Sequence, residues 1–125
     1  MPAQTIDMRD LLLAIHTQKD VEADVCLDFG CHLETDDPRP LIKSINYVIN
    51  YLNQLTEGQL QVGLNLQAED FRVSYLALTE AVNIPPLSEK LAEALREYDA
   101  DVEFVHDPGK YVQVLLVFRL PEKKG

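Results

Sequence analysis

The sequence predicts an α+β fold: a two-layer sandwich with a mixed, mostly antiparallel sheet of about five strands, covered on one face by three helices. Two observations carry this. Three segments repeat apolar residues at three- and four-residue spacing, as helices burying one side do, and about five others alternate apolar and polar residues with the period of a strand. The strands also fall mostly in adjacent pairs joined by short turns, the pattern of hairpins rather than of strand–helix crossovers.

Thr5-Ile6-Asp7 is a short extended opening, and Met8 to Thr17 reads as a helix with Leu11, Leu12 and Ile15 on one side and Asp7 as its cap. Val21 to Phe29 alternates, with Val21, Ala23, Val25, Leu27 and Phe29 facing one way and Glu22, Asp24, Cys26 and Asp28 the other, so a half-buried strand with an acidic outer face is expected. Gly30 to Arg39 is a polar loop. Pro40 to Leu55 is the most legible helix: Leu41, Ile45, Val48, Leu52 and Leu55 form a stripe that Ile42 and Ile49 widen. Arg39 precedes a proline and is biased out of the helix, Pro40 belongs in the first turn, and Asp36 and Asp37 suit the positive end of the dipole. Glu57-Gly58 is expected to end this helix, with Gly58 in the left-handed closing position.

Two strands follow, one through Leu60, Val62, Leu64 and Leu66 and one through Phe71, Val73, Tyr75 and Ala77, across a turn at Glu69-Asp70. Thr79 to Pro86 is a loop closed by two prolines. Ser88 caps a helix to Tyr98, apolar at Leu91, Ala94 and Leu95. Strands Val102 to Val105 and Tyr111 to Leu120 close the chain around an Asp107-Pro108-Gly109-Lys110 turn.

At 125 residues the chain is expected to form one domain, residues 1–125, large enough to bury a core without disulfides. The net charge of −10 opposes binding to nucleic acid or anionic lipid. The basic cluster Arg119, Lys123 and Lys124 reads as a solubilising end. With no bilayer-length apolar run and no signal pattern, a cytoplasmic location is expected. Cys26 reads as a small, partly buried hydrophobe, and Cys31-His32 does not match a zinc pattern, so no metal is expected. His16 reads as a surface or half-buried histidine, and His106 as a solvated turn residue.

The Pro40–Leu55 helix has a second face with Lys43, Asn46, Asn50 and Asn53. Asparagine lowers helix stability because its amide competes for backbone hydrogen bonds, so three in little more than two turns call for a reason beyond folding. Asn46-Tyr47-Val48-Ile49-Asn50-Tyr51-Leu52-Asn53 resembles the N-box, N-L-x-x-N-A-x-K, of the catalytic and ATP-binding domain of two-component histidine kinases. These belong to the Bergerat-fold (GHKL) ATPases, with gyrase and a class of heat-shock chaperones. The resemblance runs over nearly the whole chain. Thr5 to Leu12 is similar to the family's opening strand and helix, Gly58 to Val62 to its next strand, Phe71 to Leu78 to the strand before its first glycine box, and Pro108-Gly109-Lys110 with Leu120-Pro121 to its final hairpin.

The resemblance implies that Asn50 stands where the family holds magnesium through an amide oxygen, with Asn46 one turn before it. It also marks departures. Asn53 replaces the phosphate-binding lysine, and Tyr51 replaces a small residue. Against D-x-G-x-G-I-P-P, the chain has Thr79-Glu80-Ala81-Val82-Asn83-Ile84-Pro85-Pro86. Thr79 replaces the adenine-binding aspartate, while Ala81 and Asn83 replace the two glycines. The glycine-rich lid is missing, because Pro86 runs through Leu87 directly to Ser88.

The expected function is therefore that of a degenerate, non-catalytic ATPase-like domain acting as a protein-interaction or regulatory module in bacterial signal transduction. Asn46, Asn50, Tyr51, Asn53, Thr79, Ala81 and Asn83 form its vestigial nucleotide pocket, with no catalytic residue and no cofactor. The expected partner is a protein with a basic face, such as a response regulator or sensor kinase, and a homodimer is compatible with the reading. One alternative is an ATP- and magnesium-binding kinase or ATPase with an altered site, in which Asn50 holds the metal. Another is a small-molecule module using the modified pocket.

Overall fold

The computed structural model describes residues 4–19 and 23–120. Its order is β1 (Gln4–Asp7), α1 (Met8–Lys19), β2 (Ala23–Leu27), β3 (His32–Thr35), α2 (Arg39–Asn53), β4 (Leu60–Leu66), β5 (Asp70–Leu78), α3 (Glu89–Arg96), β6 (Ala100–Asp107) and β7 (Tyr111–Arg119). The main sheet has the order β2-β4-β5-β7-β6, antiparallel throughout except for the parallel β2–β4 pair. This is the α+β sandwich expected from the sequence.

The strand period decides which residues meet the helices. Leu60, Val62 and Leu64 of β4, Phe71, Val73, Tyr75 and Ala77 of β5, and Val112, Val114, Leu116 and Phe118 of β7 are all buried on one face. The Phe71 and Phe118 rings stack with centroids 5.0 Å apart. Leu41, Ile45, Val48, Ile49 and Leu52 of α2, Met8, Leu12 and Ile15 of α1, and Leu91 and Leu95 of α3 fill the space above them. Asp7 caps α1 as expected, accepting from the Arg9 and Asp10 amides at 3.0 and 3.4 Å. Ser88 caps α3 by accepting from the Lys90 amide at 3.2 Å.

Several expectations change. The Gly30–Arg39 loop contains β3, which pairs antiparallel with β1 in a separate two-stranded sheet, from Gln4 opposite Thr35 to Asp7 opposite His32. Such short strands carry too little alternation to stand out in a polar segment. Arg39 lies inside α2, its guanidinium paired with Asp37 at 2.9 Å and its amide with the same carboxylate at 3.0 Å, which offsets the bias that Pro40 imposes. Gly58 does not close α2: the helix ends at Asn53, Gln54 caps it in right-handed geometry, and Gly58 does not adopt positive φ. The left-handed residue after a helix is Asp99, at φ 53°, which turns the chain from α3 into β6. Gly109, at φ 79°, shapes the β6–β7 turn.

Strand β2 is shorter than its alternation suggested, and Val21 and Glu22 lie outside the described residues. Ala23 and Leu27 are half-buried, but Val25 is 42% and Phe29 75% exposed, because β2 is an edge strand and the chain bends away after Leu27. The Arg9 guanidinium lies over the Phe29 ring, 4.6 Å from its centroid. Cys26 is exposed rather than partly buried, since its parity turns it to the face opposite the helices; Cys31 is buried. Burial, with the charges of Asp28 and Asp7, pushes the Cys31 thiol up to about 11.

Candidate functional site

Helix α2 projects its asparagines as helical spacing demands. Asn50 and Asn53 are exposed, while Asn46 is half-buried. The Asn46 Oδ1 atom is itself buried and, among the described residues, has no hydrogen-bond partner. An orphaned acceptor of this kind is unfavourable and uncommon in folded proteins.

The segment from Thr79 to Ser88, between β5 and α3, lies against α2 and is fastened to it at three points. The Thr79 hydroxyl donates to the Leu55 carbonyl at 2.6 Å, just past the end of α2. The Tyr51 hydroxyl donates to the Pro85 carbonyl at 2.5 Å. The Tyr47 hydroxyl accepts from the Ser88 amide at 2.8 Å. The other side of the segment is fastened to the β6–β7 hairpin, where the Ala81 carbonyl accepts from the Gly109 amide at 3.2 Å and the Thr79 amide donates to the Lys110 carbonyl at 3.1 Å. The Ala81 amide donates back to the Thr79 hydroxyl at 3.2 Å. Asn83 is exposed at the outer bend of the strap.

Tyrosines do most of the fastening. The Tyr51 ring is buried, 6.3 Å from Tyr47 and edge-on to Phe104 of β6 at 6.2 Å. Burial and the neighbouring Tyr47 raise the Tyr51 phenol above its ordinary range, so it remains a neutral donor. Tyr98 performs the same service at the other end of α2: its hydroxyl accepts from the Leu41 amide at 3.0 Å and donates to the Asp37 carbonyl at 2.8 Å. Thus the predicted site residues Tyr51, Thr79 and Ala81 are drawn into one latch between α2 and the strap. Asn50, Asn53 and Asn83 face outward beside it. The sequence reading missed Tyr47 and Tyr98; their positions at one-turn spacing to Tyr51 and just past α3 were the available signals.

Two of the three histidines, His16 and His106, differ from expectation. His16 is buried, its Nε2 2.9 Å from the Tyr75 hydroxyl and its ring edge-on to that ring at 5.8 Å. Burial holds its pKa below the ordinary histidine value. His106 is not in the turn but half-buried in β6, with Nε2 3.4 Å from the Ala81 carbonyl. Among the described residues, no three His, Cys, Asp or Glu side chains gather in a group that could hold a metal ion, and no helix is long and apolar enough to cross a membrane.

No family model matches the sequence, and neither does any curated protein. Solved structures match the fold closely. The histidine kinase domain of the E. coli osmosensor EnvZ superposes with a TM-score of 0.76 at 9% identity, covering 100% of this chain and 93% of that one. The Acinetobacter baumannii histidine kinase AdeS gives 0.75 at 6% identity, covering 98% and 69%. The histidine kinase ThkA, solved in complex with the response regulator TrrA, gives 0.64 at 14% identity, covering 94% and 41%. Placed beside the helix order, the mixed sheet and the position of the asparagine helix, these matches establish that this chain has the fold of a histidine kinase catalytic (ATPase) domain.

Proposed function

We propose that this chain is a non-catalytic ATPase-like module that works in two-component signalling by binding a protein, with a response regulator or a sensor kinase as its partner. The observation that carries the reading is the latch. In this fold the nucleotide would enter between α2 and the segment after β5, and here the Tyr51, Tyr47 and Thr79 hydroxyls draw those two elements together.

The residues present do not fit magnesium ATP. Thr79 cannot offer a carboxylate to an adenine amino group, and its hydroxyl is already spent on Leu55. Only Leu87 separates Pro86 from the Ser88 cap of α3, leaving no length for a phosphate-covering lid. The adenine bond and the phosphate lysine are charge-assisted contacts of roughly 1.5–3 kcal/mol each, so their joint absence costs about two to four orders of magnitude in affinity. What persists is the fold with a strongly acidic composition. A net charge of −10 favours steered encounter with a basic face. The ThkA complex with a response regulator is a precedent for such a partner on this fold.

Calorimetric titration with ATP and a non-hydrolysable analogue, magnesium present, is expected to give no saturable heat. Submicromolar binding would refute the reading. A second reading, a small-molecule site in the modified pocket, is favoured by one observation, the unpartnered Asn46 Oδ1. A thermal-shift ligand screen separates the two, since a ligand for that pocket would raise the melting temperature of the wild type but not of Asn46→Ala.

A further inference from the structure

We infer, on the reading of this chain as a protein-binding module, that the free edge of β2 docks one extended segment of a partner, a strand that alternates basic and apolar residues. β2 ends the main sheet and pairs with β4 in parallel register, from Ala23 opposite Leu60 to Leu27 opposite Leu64. The Asp28 amide donates to the Leu64 carbonyl at 2.9 Å. Successive residues of a strand aim their backbone groups to opposite sides. Asp24, Cys26 and Asp28 therefore bond toward β4, while Ala23, Val25 and Leu27 present their amides and carbonyls to the open edge. Among the described residues nothing bonds them there. Such a row is a template for an added strand.

The side chains specify what that strand carries. On the helix side Ala23 and Leu27 are half-buried, Val25 is exposed, and the exposed Phe29 continues the row just past the strand's end. Apolar residues at alternate positions of an added strand would cover them. On the other side stand Asp24 and Asp28, both exposed and roughly 13 Å apart by strand rise. Among the described residues neither forms an ion pair. Asp28 accepts from the Leu66 amide at 2.9 Å through Oδ2, which orients its carboxylate beside the strand. Arg9 lies over the Phe29 ring, beyond the end of β2.

Charge selects both the edge and its occupant. At the opposite edge, two of the three carboxylates of β6 are already engaged, Asp101 with Arg119 and Asp107 with Lys110. The β2 carboxylates are left for a partner. Two copies of this chain joined edge to edge would crowd four carboxylates, Asp24 and Asp28 from each, onto one short ladder, which disfavours a second copy. A strand with lysine or arginine at alternate positions meets them instead with opposite charge.

Solution NMR of the full chain with a short peptide alternating lysine and valine tests this. The Ala23, Val25 and Leu27 amides should shift and gain protection from exchange, the Asp24 and Cys26 amides much less, and binding should weaken as salt rises. A peptide alternating glutamate and valine should not bind. Asp24→Lys, a surface change, should weaken the lysine peptide by roughly fivefold to tenfold, because an attractive pair becomes a repulsive one, and should admit the glutamate peptide. Val25→Pro removes an edge amide that makes no bond within the sheet, so it should abolish binding while circular dichroism shows the fold intact. Absence of shifts at the three edge amides up to millimolar peptide overturns the inference, as does binding that Asp24→Lys leaves unchanged. Saturable shifts centred on another surface overturn the β2 edge and leave the protein-binding reading standing. Saturable binding of magnesium ATP overturns that reading, and the β2 titration still stands or falls on its own amides.

Discussion

Tyr51→Phe isolates the latch from everything else the ring does. The phenyl ring keeps its edge-on packing against Phe104, and only the hydroxyl bond to the Pro85 carbonyl is lost. Pro85 is exposed, so its carbonyl recovers a water and the loss stays near the net value of a neutral hydrogen bond, about 1 kcal/mol. That corresponds to roughly a fivefold rise in the open population of the strap. Tyr47→Phe removes the acceptor of the Ser88 amide and should cost a similar amount. With both tyrosines changed, the opening should rise by about twentyfold to thirtyfold if the two bonds act independently across the same short segment. Native-state amide exchange reads this directly. Protection at the Ser88 amide, whose acceptor is the Tyr47 hydroxyl, should fall about fivefold in Tyr51→Phe and further once Tyr47→Phe removes that acceptor, while the β4, β5 and β7 amides follow only the small global change, about 4 °C in melting temperature per kcal/mol. If the Ser88 amide keeps its wild-type protection in Tyr51→Phe, the Tyr51 hydroxyl does not hold the strap and the latch reasoning fails.

Two further outcomes follow from the same geometry. The pKa of His16 is lowered by burial in the folded state, so the unfolded chain takes up the proton first; stability is complete above the unfolded value near 6.5 and is lost as pH falls below it. His16→Gln, which keeps a polar partner for Tyr75, should flatten the decline in the urea midpoint between about pH 7.5 and 5 that the wild type shows; an unchanged slope would assign that decline to other groups. Asn46→Ala should raise stability by about 1 kcal/mol in urea unfolding, because it removes a buried unpaired acceptor and improves helix propensity. A loss of stability there would mean that the amide has a partner, such as ordered water.

The parts legible in the sequence were those governed by local periodicity. The α2 stripe from Leu41 to Leu52, the alternation of β4, β5 and β7, the Asp7 and Ser88 caps and the Gly109 turn each depend on residues within a few positions of one another. What stayed hidden depends on long-range partners. Strand β3 exists because β1 pairs with it, and Phe29 is exposed because β2 lies at an edge that alternation cannot reveal. His16 is buried because Tyr75, far along the chain, reaches it.

The amino-acid order by itself therefore determined the layers of this protein and the buried face of each element. Only the tertiary structure decided how the segment between β5 and α3 is held. Tyr47, Tyr51 and Thr79 read locally as ordinary helix and loop residues, and their hydroxyls act only when folding brings the strap across α2. The same holds for the outer sheet face. Leu76, Leu78 and Leu115 read locally as ordinary strand positions until the register sets them on one face, with the exposed Glu103 opposite Leu115. A side chain's spacing fixes which way it points, but the free energy of what it meets there belongs to the assembled fold.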